Sequence, residues 1–283
     1  MTSLKSIFGG DRMVNRTKKK TKIRSTILNA VALILIVAVV VLLLLWNRYL
    51  NKNSLLEKFT TTQEQEVYLL GTFHENHFNK WLNYSMEDIL SVVENLQPDV
   101  VFVEAREKYF TDYRVMDGPI DMAVVYSYCK DNDIPVEMVD WWVVDNSYKS
   151  NTTNDKRDDM IFANIDSKLM TINTDTKILV VCGAGHYYEQ AKRFLNNGFE
   201  KQKIKNKSTY FDSHVTEFEY PLSLEDVWEK RAYFYAYTYP EVVGQDNTLD
   251  DDIKAEFTEG NHDAFYNQQQ KYCEFFSKNE LFK

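Results

Sequence analysis

Twice in this chain an apolar run stops abruptly at Gly-x-x-His: residues 67–70 (VYLL) lead into Gly71-Thr72-Phe73-His74, and residues 178–182 (ILVVC) into Gly183-Ala184-Gly185-His186. Continuous Val/Ile/Leu runs bounded by glycine read as strands buried on both faces, the pattern of parallel sheets. Parallel strands cannot be joined by tight turns, so helices must alternate with them. The intervening sequence does alternate. Residues 86–96 put Ile89, Leu90, Val93 and Leu96 on one helical face before Gln97-Pro98-Asp99 breaks it. Residues 100–103 then read as a strand ending at Glu104, 120–130 as a helix, 134–139 as a strand ending at Asp140, and 157–170 as a long helix. The expected fold class is α/β, a mostly parallel sheet with crossover helices. Ligands bind such sheets at the carboxyl ends of the strands, which predicts one shared edge for His74, Glu104, Asp140 and His186.

Ahead of this domain the composition changes. Residues 1–25 carry eight Lys/Arg against one Asp, and residues 26–46 then run for 21 positions without a charge. That length spans a bilayer as a helix. A cleaved signal peptide has a shorter apolar region ending in small residues, whereas this one ends in four leucines and Trp46. The expectation is an uncleaved anchor, with residues 1–25 cytoplasmic by the positive-inside rule, Trp46 and Tyr49 at the interface, and the domain outside. Residues 47–65 are mostly polar and lack Gly and Pro, which reads as a stalk, and the α/β domain is expected over 66–283.

The formal charge of the whole chain is −9, and removing the +7 of the first 25 residues leaves −16 for the rest. An acidic domain repels nucleic acid, so no nucleic-acid partner is expected. The three cysteines, Cys129, Cys182 and Cys273, are too scattered for a disulfide framework or a thiolate metal site.

Two imidazoles and a carboxylate at one sheet edge are a ligand set for zinc, manganese, iron or cobalt. His74, Glu104 and His186 are the expected ligands of such a divalent transition metal, which would acidify a water for attack on a carbonyl. Without metal, the same groups can serve as base and orienting acid. Plainer readings stand beside these. The histidines can be structural, Glu104 can simply pair with Arg106 or Arg157, and Arg157 can be either a substrate contact or a clamp on Glu104. Asp140, before Trp141-Trp142, can cap a turn. Glu75 and His77 read as a loop, and His214 and His262 as ordinary polar residues.

The blocks VYLLGTFH, PDVVFVEAR, KRDDMIFANI and ILVVCGAGH, in that order, resemble the successive signatures of the TraB/Tiki superfamily. That superfamily takes in pheromone-shutdown proteins, Tiki-type peptidases and erythromycin-esterase-like enzymes. The resemblance implies an α/β domain whose site is formed by His74, His186 and Glu104, with Arg157-Asp158 and Asn164 matching the family's Arg-Asp/Asn block. Position 161, where several branches carry Met, is Ile161 here.

In the C-terminal third, residues 210–220 alternate as an edge strand would, 224–237 read as an aromatic-rich helix, 246–252 as a solvated connection, and 265–282 as a last helix. Together these features predict a membrane-anchored hydrolase of peptide or ester bonds with His74, Glu104, Arg157 and His186 as its site. The alternative is a domain that binds and sequesters a peptide without cleaving it.

Overall fold

The computed structural model describes residues 27–45, 51–79, 81–146, 155–214 and 217–279, in two units, Met1–Asn51 and Lys52–Lys283. In the first unit, Ile27–Leu45 is a helix long and apolar enough to cross a membrane, with its side chains exposed. The basic run, Trp46 and Tyr49 lie outside the described residues.

The second unit is built on a six-stranded mixed sheet: β1 (Leu56–Thr60), β2 (Glu66–Thr72), β3 (Val100–Val103), β4 (Val136–Met138), β5 (Lys177–Gly183) and β6 (Glu200–Gln202), in the order β4-β3-β5-β2-β1-β6. β4, β3, β5 and β2 run parallel, while β1 is antiparallel to both β2 and β6. Register fixes the level of the loops. Thr72 lies opposite Gly183 and Val103 opposite Val181, so β2, β3 and β5 end side by side.

The apolar runs do what their composition predicts. Leu69, Val180 and Phe102 form one row across the sheet and are all fully buried. Truncating Leu69 to Ala there would cost about 2–5 kcal/mol in lost transfer energy and residual cavity. The helix Met86–Leu96 starts at a reciprocal cap, in which Asp88 N–H donates to Ser85 Oγ at 3.3 Å and Ser85 N–H donates to Asp88 Oδ2 at 2.7 Å. It ends at Gln97, left-handed with φ 49°, directly before Pro98. This helix packs against Ile120–Asp131, and Asp155–Leu169 packs against Ala184–Asn196.

Two expectations are corrected. Residues 47–65 are not simply a stalk: Leu55, Leu56 and Phe59 are fully buried and β1 lies inside the sheet, so the compact unit starts at Lys52 rather than at 66. LEKFT is short, with Glu57 and Lys58 at its centre, and so lacks an apolar run; what it gains is ladder hydrogen bonds on both sides. Nor is the edge strand at 210–220. Lys207–Phe211 is a 3-10 turn, and the antiparallel edge is β6. Further on, Leu224–Tyr233 passes into a π-helical turn, Phe234–Thr238, then into Tyr239–Gly244, with His262–Ser277 as the last long helix. Phe234, Tyr239, Val243, Leu249 and Ile253 gather with Val115 in a second, smaller core.

Candidate active site at the carboxyl edge of the sheet

His74 follows β2 by two residues and has φ 54°, a left-handed conformation that costs a non-glycine residue roughly 1–3 kcal/mol. Neighbouring contacts hold it there. Its backbone N–H donates to Asp121 Oδ2 at 3.2 Å, and its Nδ1 lies 3.1 Å from both oxygens of the same carboxylate. Phe73 N–H donates to His77 Nε2 at 2.7 Å, and His77 Nδ1 donates to Tyr84 O at 2.8 Å. His77 is therefore a buried brace of the turn rather than a loop residue, and its burial lowers its pKa. Asp121 is fully buried in the first turn of Ile120–Asp131.

His186 stands in the first turn of the helix Ala184–Asn196, with Nδ1 2.7 Å from Asp158 Oδ1. Each imidazole thus has one nitrogen fixed by a carboxylate and Nε2 directed inward. His186 Nε2 approaches Glu104, which directly follows β3, while His74 Nε2 lies over Gly183 beside it. His186 Nε2 is 3.6 Å from Glu104 Oε1. A Cβ placed on Gly183 would meet His74 Nε2 at 2.6 Å and Glu104 Oε2 at 3.2 Å, so both groups close over that glycine.

Glu104 is buried and well held: Gly183 N–H donates to its Oε2 at 2.6 Å and Arg157 Nη2 to its Oε1 at 2.9 Å. Arg157 also grips Asp140 in a two-point pair, Nε and Nη2 each at 2.8 Å. A planar fork between two carboxylates is a geometry lysine does not supply. The ion pair open to Glu104 is made with Arg157, while Arg106 pairs with Asp117 instead. Asp140 also accepts Trp141 N–H at 2.7 Å, but residues 139–144 form no turn for it to cap.

The electrostatics follow from these contacts. Burial alone would lower the His74 pKa, but Asp121, with Glu104 behind it, raises it to about 9. Burial would raise Asp121, yet His74 beside it brings the carboxyl down to about 2. These two shifts describe one ion pair. For His186, the hydrogen bond to Asp158 and the charge of Glu104 outweigh burial and raise the pKa. Burial and then Asp140 raise Glu104 against the pull of His186, His74 and Arg157.

All four expected site residues, His74, Glu104, Arg157 and His186, thus lie in one contiguous cluster with Asp140. Glu75 is exposed, His214 contacts Asn95 and His262 contacts Thr258 O at 3.1 Å, away from it. Sequence reasoning missed Asp121, whose only signal was an acidic residue opening an otherwise apolar helix. Asp158 lies in the KRDDMIFANI stretch, where nothing local marks it as the partner of His186.

Metal-binding histidines usually have the second ring nitrogen tied to a carboxylate, and His74 and His186 share that one feature. Two ligands at ~2.1 Å from one tetrahedral ion stand roughly 3.4 Å apart, close to the His186–Glu104 separation of 3.6 Å. The cage is not closed as it stands. Among the described residues no three His, Cys, Asp or Glu side chains gather tightly enough to hold an ion, and Arg157 occupies Glu104 Oε1. No family model matches the chain, and no curated protein or solved structure matches it.

Proposed function

We propose that the Lys52–Lys283 unit is an extracytoplasmic hydrolase of peptide or ester bonds, anchored to the membrane by the helix Ile27–Leu45 and built on an α/β fold with crossover helices. The observation that carries this reading is the gathering of two carboxylate-fixed imidazoles, His74–Asp121 and His186–Asp158, around the buried Glu104, His186 facing it directly and His74 standing over the glycine that donates to it. Structural histidines have no need of two separate buried carboxylates holding one Nε2 toward Glu104 and the other over the glycine that binds it. Perturbed groups so placed mark functional sites. The order of the sequence blocks resembling the TraB/Tiki superfamily supports the same reaction class.

In the reaction, Glu104 takes a proton from water while the water oxygen attacks the carbonyl carbon. The raised pKa of His74 keeps its Nε2 protonated near neutrality, and that N–H faces the developing oxyanion. His186 gives its Nε2 proton to the leaving nitrogen or oxygen as the bond to carbon breaks, and the proton on Glu104 then restores it. Arg157 holds Glu104 in place and balances its charge. A manganese, cobalt, zinc or iron ion would be held by His74 Nε2, His186 Nε2 and Glu104, and would supply acidification of the water. For that, both imidazoles must be neutral and Arg157 must yield Glu104 Oε1.

The test is cleavage of a peptide and ester panel by the full chain with each metal supplied and with chelator, beside equilibrium dialysis of the metal. His74→Ala and His186→Ala are each expected to abolish cleavage and stoichiometric metal binding with the fold retained. Cleavage that survives chelation leaves the proton-transfer mechanism and removes the metal. Tight binding of a peptide with no cleavage under any metal overturns the hydrolase and puts sequestration in its place.

A further inference from the structure

A cavity of about 420 Å³ adjoins this site, and Asp140 is part of its lining. Because Arg157 bonds Asp140 on one side and Glu104 on the other, a single side chain separates the cavity from Glu104. Its walls come from both halves of the domain: Tyr109 from the short helix Glu107–Tyr113 after β3, Trp141, Trp142 and Val143 from the loop after β4, and Tyr239 and Val242 from the helix Tyr239–Gly244. Arg106 also lines it, yet brings little free charge. Its guanidinium lies 3.6 Å from the Trp142 ring centre and 4.1 Å from that of Tyr109, and its Nε and Nη2 are spent on Asp117 and the Tyr235 hydroxyl. What the cavity offers is therefore mainly aromatic and aliphatic surface, with Glu107, Lys108, Asn164 and Asp246 also in its lining and a carboxylate-bound arginine beside it.

We propose that this cavity is the specificity pocket of the site and takes a large apolar side chain, aromatic or branched, flanking the scissile bond of a peptide. The proposal rests on the hydrolase reading in taking Glu104 as the reacting end. Three observations support it: the volume exceeds that of a single phenylalanine side chain, rings and aliphatic side chains make up most of the walls and bury much area at little entropic cost, and Arg157 links the wall residue Asp140 directly to Glu104. It also gives the C-terminal third a function, since Tyr239 and Val242 close the far wall and the π-helical turn carries Tyr235 to Arg106.

The experiment reads binding without chemistry. The full chain in lipid nanodiscs, labelled with 5-fluorotryptophan, is titrated with N-acetyl-L-phenylalaninamide and with N-acetylglycinamide while the Trp141 and Trp142 resonances are followed. The phenylalanine amide is expected to shift both in a saturable way, and the glycine amide to bind at least about tenfold more weakly, as burial of one aromatic side chain requires. Val242 and Val143 are 37% and 39% exposed at the rim, so Val242→Trp and, independently, Val143→Trp fill the space without emptying a core. Each is expected to weaken the phenylalanine amide at least about tenfold. Equal affinity for the two amides, no saturable binding, or unchanged binding in whichever rim variants fold overturns the pocket. The cleavage panel fails or succeeds separately, so loss of the hydrolase reading and loss of the pocket are told apart.

Discussion

A side chain on Gly183 would begin 2.6 Å from His74 Nε2. The same glycine donates its N–H to Glu104, so it holds one reacting group and makes room for another. Its neighbour in the motif is different, since a Cβ on Gly185 would meet nothing. Gly183→Ala is therefore expected to push His74 from its place over Gly183 and abolish cleavage while the chain still folds, whereas Gly185→Ala keeps cleavage within a few-fold. Comparable activity in the two variants, measured on the same substrate, would contradict the placement of His74 over Gly183.

Asp121 and His74 make a pair whose stabilisation depends on pH. The folded pKa of Asp121 is depressed to about 2, so its contribution is present above the unfolded value of ~3.9 and fades as pH falls toward 2. That of His74 is raised to about 9, so its contribution is complete below ~6.5 and is lost as pH rises through 9. The stability that Asp121→Asn removes is expected to be greatest near pH 5 and smaller at pH 9.5. Urea unfolding of both proteins in metal-free buffer measures it; an equal difference at the two pH values would count against the ion pair.

Glu104→Gln keeps the shape and the Gly183 hydrogen bond but removes the charge that takes the proton. Turnover is expected to fall by about a hundredfold or more, the usual scale for a general base, with substrate binding retained. Parallel loss of binding and turnover would make Glu104 a structural anchor for Arg157 instead.

The proposed topology rests on the +7 flank before the apolar helix. Protease added to intact cells is expected to degrade the Lys52–Lys283 unit and spare an N-terminal tag. Digestion of the tag from outside reverses the orientation and with it the extracytoplasmic assignment.

The sequence displayed the sheet edge well and its supports poorly. β2 and β5 were visible because their runs are buried on both faces and end in glycine, and strand-end geometry alone placed His74, Glu104 and His186 near one another. β1 was invisible, since five residues with two charges at the centre show neither alternation nor an apolar run. Asp121 was equally hidden: it is 47 residues from His74, and an acidic residue in a helix's first turn is ordinary for dipole reasons. His77 was misjudged because hydrogen bonds to Phe73 N–H and Tyr84 O leave no local mark. Partners fixed by tertiary approach have no periodicity to betray them.

The three thiols give the folded unit an unusual experimental handle. Cys129, Cys182 and Cys273 are unpaired and buried, and burial pushes Cys129 up to about 12, Cys273 to about 11 and Cys182 well above its ordinary value. Thiolate is the reactive form, so the native protein should ignore maleimide while every global opening exposes three targets together. An odd number of cysteines also means that a chain oxidised while unfolded always keeps one thiol able to cross-link to a neighbour. Alkylation rate in the absence of denaturant thus becomes a clock for spontaneous unfolding, and covalent multimers become the record of chains that never reached the native state.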